Sequence, residues 1–317
     1  MVKDQRPPIA VSPPDPPGGG LAKIQHAIAR VFFHVAATGL IPARWFAPVP
    51  RVSKGNGDHT GRRCSLEVVS HCWQYPHLLA FQLSSLVLHP PRTVDLRMTV
   101  FHAAEDRPTT ELLAWFSTHR VPGVEWHWQA LPPAQLMRRG IGRNLAALAT
   151  TADWVWFTDC DLVFGEGCLD ALAQQLQGRR DLLVYPQQEY CTRLLPDGSP
   201  MLRDGRNPRR LLHITEPLTP RRVTRATGPL QITHGDAARQ LGYCDALKAY
   251  QAPTDRWRKT YEDRAFRWLL GTQGVAIDVP GVQRIRHLSK GRYPRNRPLR
   301  WLRQRLRLWT EPSPRER

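Results

Sequence analysis

The chain has 317 residues, is 41% hydrophobic, and carries a formal net charge of +18 from 45 basic and 27 acidic side chains. That length suits one large α/β domain with appendages or two small ones, and no uncharged apolar run of about 18 residues is present, which excludes a helix that spans a bilayer. The basic excess is nearly all arginine and asks for a polyanionic partner: nucleic acid, an anionic membrane face or phosphate-bearing substrates. Six cysteines without a CxxC pair read as reduced thiols. With Asp4 and prolines in place of a secretory signal at the start, they point to a cytoplasmic protein.

In chain order, residues 1–20 form a Pro/Gly-rich leader whose composition predicts disorder. Residues 21–63 form an amphipathic helix and linker. Leu21, Ile24, Ile28, Val31 and Val35 share one helical face, which predicts a helix docked on the domain, with a helix lying in a membrane interface as the alternative. An alternation follows: strand 66–70, helix 76–88, strand 94–101, helix 109–118 capped by Thr109 or Thr110, strand 124–131, helix 142–150, strand 154–157 and helix 168–176. Alternating β and α units of this size imply a mostly parallel sheet. The segment 191–227, dense in Arg, Pro and Gly, reads as a mobile loop. Its arginines (Arg203, Arg206, Arg209, Arg210, Arg221, Arg222, Arg225) suit a lid over phosphate or a solvated loop. Helical pattern returns at 237–241 and 262–270, before a strand at 275–279. The core domain is therefore 64–290, with halves 64–190 and 191–290. Residues 291–317 form a basic tail with Trp301, Leu302, Leu306 and Trp309 among arginines, suited to docking or to an anionic leaflet.

Ligands of an open parallel sheet sit beyond the carboxyl ends of its strands. Asp159 and Asp161 fall at such an end, after the unbroken apolar run Trp154, Val155, Trp156, Phe157. Two carboxylates at this spacing can bring one oxygen to Mg²⁺ or Mn²⁺ and the other to a ribose hydroxyl or a metal-bound water. Taken alone, such a pair more often caps a helix. Glu262 and Asp263, alone, equally suit the first turn of a helix through its macrodipole.

The ordered set of motifs is more specific. Residues 140–147 (GIGRNLAA) and 152–161 (ADWVWFTDCD), then 241–245 (LGYCD) and 261–266 (YEDRAF), resemble the core of family 2 glycosyltransferases, which share the GT-A fold, a Rossmann-like α/β architecture. The resemblance implies a nucleotide-sugar donor, with Asp161 on a Mn²⁺ or Mg²⁺ ion that bridges the donor's phosphates and Asp159 near the ribose or the metal. His287 is implied as a third metal ligand. It implies Asp263 as general base beside Glu262, and transfer with inversion. Arg143 and Asn144 border the donor pocket, and His71 and Tyr75 follow the first strand, where base and ribose rest. The turn after the second strand reads FHAAED (101–106), so the carboxylate of the family's uridine-reading turn is shifted or lost. UDP-, GDP- and dTDP-sugars all stay open. The implied acceptor is a glycan or lipid-linked precursor at the inner face of a membrane. A retaining transferase or a nucleotidyltransferase on the same fold is the alternative. A basic nucleic-acid-binding protein ranks behind both, since no nucleic-acid motif is present.

Overall fold

A computed structural model describes residues 20–53, 63–206, 209–254 and 261–288. Residues 1–19 of the leader and the whole basic tail 291–317 lie outside these. Helix α1 (Gly20–Val35) leads to β1 (Cys64–His71), α2 (Pro76–Leu88), β2 (Val94–His102), α3 (Arg107–Ser117) and β3 (Val124–Ala130). The short α4 (Pro133–Leu136) precedes α5 (Arg139–Ala149), β4 (Trp154–Phe157), β5 (Leu162–Phe164), α6 (Cys168–Leu176), β6 (Leu183–Pro186) and β7 (Gln188–Thr192). Then follow α7 (Pro200–Asp204), β8 (Leu218–Arg222), β9 (Gln231–His234), α8 (Gly235–Leu241), α9 (Lys248–Gln251), α10 (Glu262–Leu269), β10 (Val275–Ile277) and β11 (Val282–Arg284).

Seven strands form the central sheet in the order β10-β6-β9-β4-β1-β2-β3. Only β9 runs against its neighbours β4 and β6; the other pairings are parallel. This is the mostly parallel α/β sheet expected from the alternation, in the Rossmann-like class that the resemblance implied. Side chains along a strand point to opposite faces in turn, and here they feed two cores. Leu66, Val68, Trp154 and Trp156 pack with α2, α3 and α6 on one face. Val69, Val155 and Phe157 pack with α5, α8 and α10 on the other. A central strand covered on both sides has no polar residue to alternate with, which is why β4 reads as an unbroken apolar run.

A smaller sheet, ordered β5-β11-β7-β8, flanks the first. It corrects the reading of 191–227 as a loop: β8 pairs antiparallel with β7, Arg221 opposite Glu189 and Pro220 opposite Tyr190, and α7 lies between them. Strand β8 is a mostly exposed edge, where proline is tolerated and no apolar alternation is required, so its sequence carries no strand signal. Two further expectations are corrected. Helix α3 starts after Asp106, not at Thr109 or Thr110. The face of α1 expected to dock is exposed instead, with Ile28 at 64% and Val31 at 66% exposure. The helix docks through Phe33, and the turn after it through Ala36 and Ala37, all packed against the α8–α10 side of the core.

Candidate active site

At the carboxyl edge of the sheet, β4 stays in register with β1 one residue past its end, because the Thr158 amide and hydroxyl both donate to the Val69 carbonyl. The chain then turns. The Leu162 amide donates to the Asp159 carbonyl, and the Asp161 carbonyl accepts from Ile285, which tethers the turn to the segment after β11. Asp159 and Asp161 therefore sit on a turn closed by its own hydrogen bond and tethered to β1 and to the segment after β11.

Helix α5 supplies the countercharge. Arg139 and Arg143 are one turn apart and so share a face; both guanidiniums reach Asp159 Oδ1, Arg143 at 3.3 Å and Arg139 in closer contact. Arg143 is 1% exposed and also donates to the Thr158 carbonyl (3.2 Å) and the Tyr243 hydroxyl (2.9 Å), while its guanidinium lies 5.2 Å from the Tyr243 ring centroid. Asp159 holds Arg139 firmly charged, against the cost of burial. Arg139 Nε also lies 3.9 Å from Glu262 Oε1, so this side chain joins the first acidic motif to the second. Arg139 was absent from the sequence-derived site. The signal was available in its position one helical turn before Arg143.

The remaining motifs meet on the same side. Asn144 Oδ1 accepts the Tyr243 amide (2.8 Å), and its Nδ2 donates to Asp245 (2.9 Å). Gly242 has φ +61°, and a Cβ there would lie 2.2 Å from Asn144 Oδ1, so only glycine fits. Tyr243 hydroxyl donates to Gln231, whose amide donates to the Asp263 carbonyl. Burial pushes Tyr243 well above the usual phenol range, keeping it protonated as a donor. Glu262 is buried at 5% exposure. The Asp263 side chain is one-third exposed, close to Gly228 and 3.4 Å from Arg267.

His71 follows β1, stacked on Phe101 with ring centroids 5.1 Å apart. Neither ring nitrogen has a hydrogen-bond partner among the described residues. Burial, reinforced by Arg143 and Arg139, pushes His71 well below the usual imidazole range. Tyr75 precedes α2 and sets its ring edge-on to His287, 5.5 Å away. Burial and the nearby His287 bring His77 down to about 4. Of the two carboxylates in the FHAAED turn, Glu105 is exposed and Asp106 faces inward: it accepts the Gln74 amide at 2.6 Å and the Thr109 hydroxyl at 2.7 Å.

Asp161 is 4% exposed. Burial works against the charge of Arg284, and Asp161 and Glu189 more than offset it; Glu189 lies 2.7 Å from that guanidinium. Arg284 and Glu189 come from β11 and β7, too far along the chain to be associated with Asp161 by pattern. Among the described residues no three His, Cys, Asp or Glu side chains group as metal ligands, so His287 is not gathered with the two aspartates. Two carboxylates still fit a Mg²⁺-like ion, which is held by one or two protein oxygens and completed by substrate phosphates and water. A cleft of about 600 Å³ opens at the opposite, amino ends of β1–β3, lined by Glu67, Asp95, Arg97 and Glu125. It lies at the wrong end of the strands for the ligands of an open parallel sheet.

Compared with known protein families, the chain matches no family model, and it matches no curated protein. Among the solved structures that resemble it, two are remote in sequence. Staphylococcus aureus TarS 1–349 in complex with UDP is 12% identical with a TM-score of 0.44 over 70% of this chain, which spans 60% of that one. The mannosyltransferase PcManGT from Pyrobaculum calidifontis, in complex with GDP-Man and Mn²⁺, is 15% identical with a TM-score of 0.38 over 92% of this chain and 74% of its own.

Proposed function

We propose that this chain is a glycosyltransferase of GT-A type that moves a sugar from a nucleotide-diphosphate donor to an acceptor hydroxyl with inversion. The observation that carries this reading is the bridge made by Arg139, which ties Asp159 at the end of β4 to Glu262 at the start of α10. Two acidic motifs a hundred residues apart thus face one space at the carboxyl edge of the sheet.

In this reading the donor's phosphates lie near Arg139, whose positive charge offsets the anion that departs as a nucleoside diphosphate. His71, Tyr75, Arg143 and Asn144 shape the donor side, Arg143 by holding Asp159 and Tyr243 in place. Asp161 and Asp159 would hold a Mn²⁺ or Mg²⁺ ion without His287, which is not gathered with them; bound there, the ion would supply Lewis-acid stabilisation of the departing phosphate. Asp263, the more exposed of the α10 acids, takes the proton from the acceptor hydroxyl as its oxygen bonds to the anomeric carbon from the face opposite the leaving group. Glu262 orients Arg139. The acceptor is a glycan or lipid-linked precursor at the cytoplasmic face of a membrane.

The test is a thermal-shift screen of UDP-, GDP- and dTDP-sugars with and without Mn²⁺. One nucleotide class should stabilise the protein in a metal-dependent way, and Asp161→Ala should abolish that shift. Asp263→Asn should keep donor binding while turnover falls about 10²- to 10⁴-fold, the usual worth of a general base. Normal turnover by Asp263→Asn would remove it from the mechanism, and an α-configured product from an α-linked donor would refute inversion.

A further inference from the structure

Large apolar side chains left in solvent concentrate, among the described residues, in the stretch from Ile24 to Val49. Ile24, Ile28, Val31 and Val35 form a ridge along α1, and Leu40 and Trp45 in the turn that follows are 76% and 71% exposed. An amphipathic helix ordinarily buries such a ridge against its own core. Here the opposite side of the segment is already fixed in place. Phe33 packs on Phe46, and Phe46 on Trp268 of α10 (ring centroids 5.6 and 5.3 Å). Arg264 donates to the Ala37 carbonyl and Trp268 to the Ile41 carbonyl. The ridge faces outward because the docked face holds it there.

The charge of the segment selects its occupant. Residues 20–53 contain Lys23, Arg30, Arg44 and Arg51 and no aspartate or glutamate. A second copy of the chain would set two acid-free cationic segments against each other, and like-charge juxtaposition at an interface is costly. An anionic bilayer fits both properties: its acyl boundary accepts the apolar ridge, its headgroups attract the cations, and an indole such as Trp45 favours the interface between them. No described helix is long and apolar enough to cross a membrane, so the contact lies along the surface. We propose that α1 and the turn through Trp45 are a docking face for an anionic lipid bilayer. Because this face is braced by α10, docking sets the helix that carries Glu262 and Asp263 at the membrane surface, where a lipid-borne acceptor hydroxyl would arrive. That last consequence rests on the transferase reading; the docking does not.

Flotation of the full chain with phosphatidylcholine vesicles, with and without phosphatidylglycerol, tests this. The protein should float with the anionic vesicles and weaken as salt is raised. Ile28→Glu with Val31→Glu, both at solvent-facing positions, should lower partitioning about 100-fold with an unchanged circular dichroism spectrum. Trp45→Ser, outside the helix, should lower it about tenfold and serves if the double variant misfolds. Three results would overturn the docking face: no flotation, flotation equal in wild type and variants, or a concentration-dependent dimer that the variants abolish while vesicles bind nothing. Transfer from a nucleotide sugar to a soluble acceptor is assayed in parallel. Failed transfer with intact flotation defeats the site reading alone, and failed flotation with intact transfer defeats the docking face alone.

Discussion

Gly142 shows how narrowly the site is fitted. A Cβ on it would approach His71 Nε2 to 2.3 Å and Phe101 Cγ to 2.9 Å. In an open helix, alanine would be the better residue by about 1 kcal/mol. Here the imidazole is itself packed between Phe101 and α5 and has nowhere to retreat, so overpacking outweighs propensity. Gly142→Ala is expected to lower stability by about 1–3 kcal/mol and to show it as a reduced midpoint in urea unfolding. A variant as stable as the parent would mean that His71 is free to swing away. The same fit explains why His71 is an informative residue that its sequence position alone could not characterise: the strand end is legible, but the stacking on Phe101 depends on the parallel register of β1 and β2.

At the scale of elements, α5 and the turn after α8 behave as one piece. Asn144 uses both ends of its amide to hold the Tyr243 amide and Asp245, and Gly242 leaves room for it. Leucine at 144 would strand a buried backbone donor, at about 1–3 kcal/mol per unsatisfied group, and would loosen Tyr243 from Arg143. Asn144→Leu should therefore lower the unfolding midpoint and speed hydrogen exchange at the Tyr243 amide, and an unchanged exchange rate there would show that the elements are not coupled through this residue. The motifs at 140–147 and 241–245 were each visible in the sequence. Their contact was not, because nothing in either pattern specifies that β9 inserts antiparallel and brings α8 back over α5. For α1 the periodicity identified the helix while inverting its environment, since amphipathicity marks an apolar face but not what covers it.

At the scale of the molecule, burial holds five histidines among the described residues below their ordinary range: His71, His77, His102, His127 and His234. Each is neutral in the folded chain where the unfolded chain would take a proton. Below pH 6.5 the unfolded state therefore binds more protons, and stability falls as pH drops. For His77 the window runs from 6.5 down to about 4. Asp236, held at about 2 mainly by bonds from Ser53 and Arg239 that outweigh its desolvation, adds a loss of the same sign at still lower pH. The growing positive charge on a chain already at +18 pushes the same way through self-repulsion. Urea midpoints should fall between pH 7 and pH 5, and a flat or rising midpoint would show that these side chains are solvated.

Local pattern by itself determined the α/β alternation, the end of β4 as the place for Asp159 and Asp161, and the order of the acidic motifs, because strand and helix periods and the chemistry of a strand end are written within a few residues. Only the tertiary structure decided that Arg139 links Asp159 to Glu262, that Arg284 answers the charges of both Asp161 and Glu189, that the arginine-rich segment adds an edge strand, and that the apolar ridge of α1 looks outward. Each of these joins residues distant in the chain, and such contacts follow from strand order and from which face of a helix finds a partner, neither of which any local period encodes.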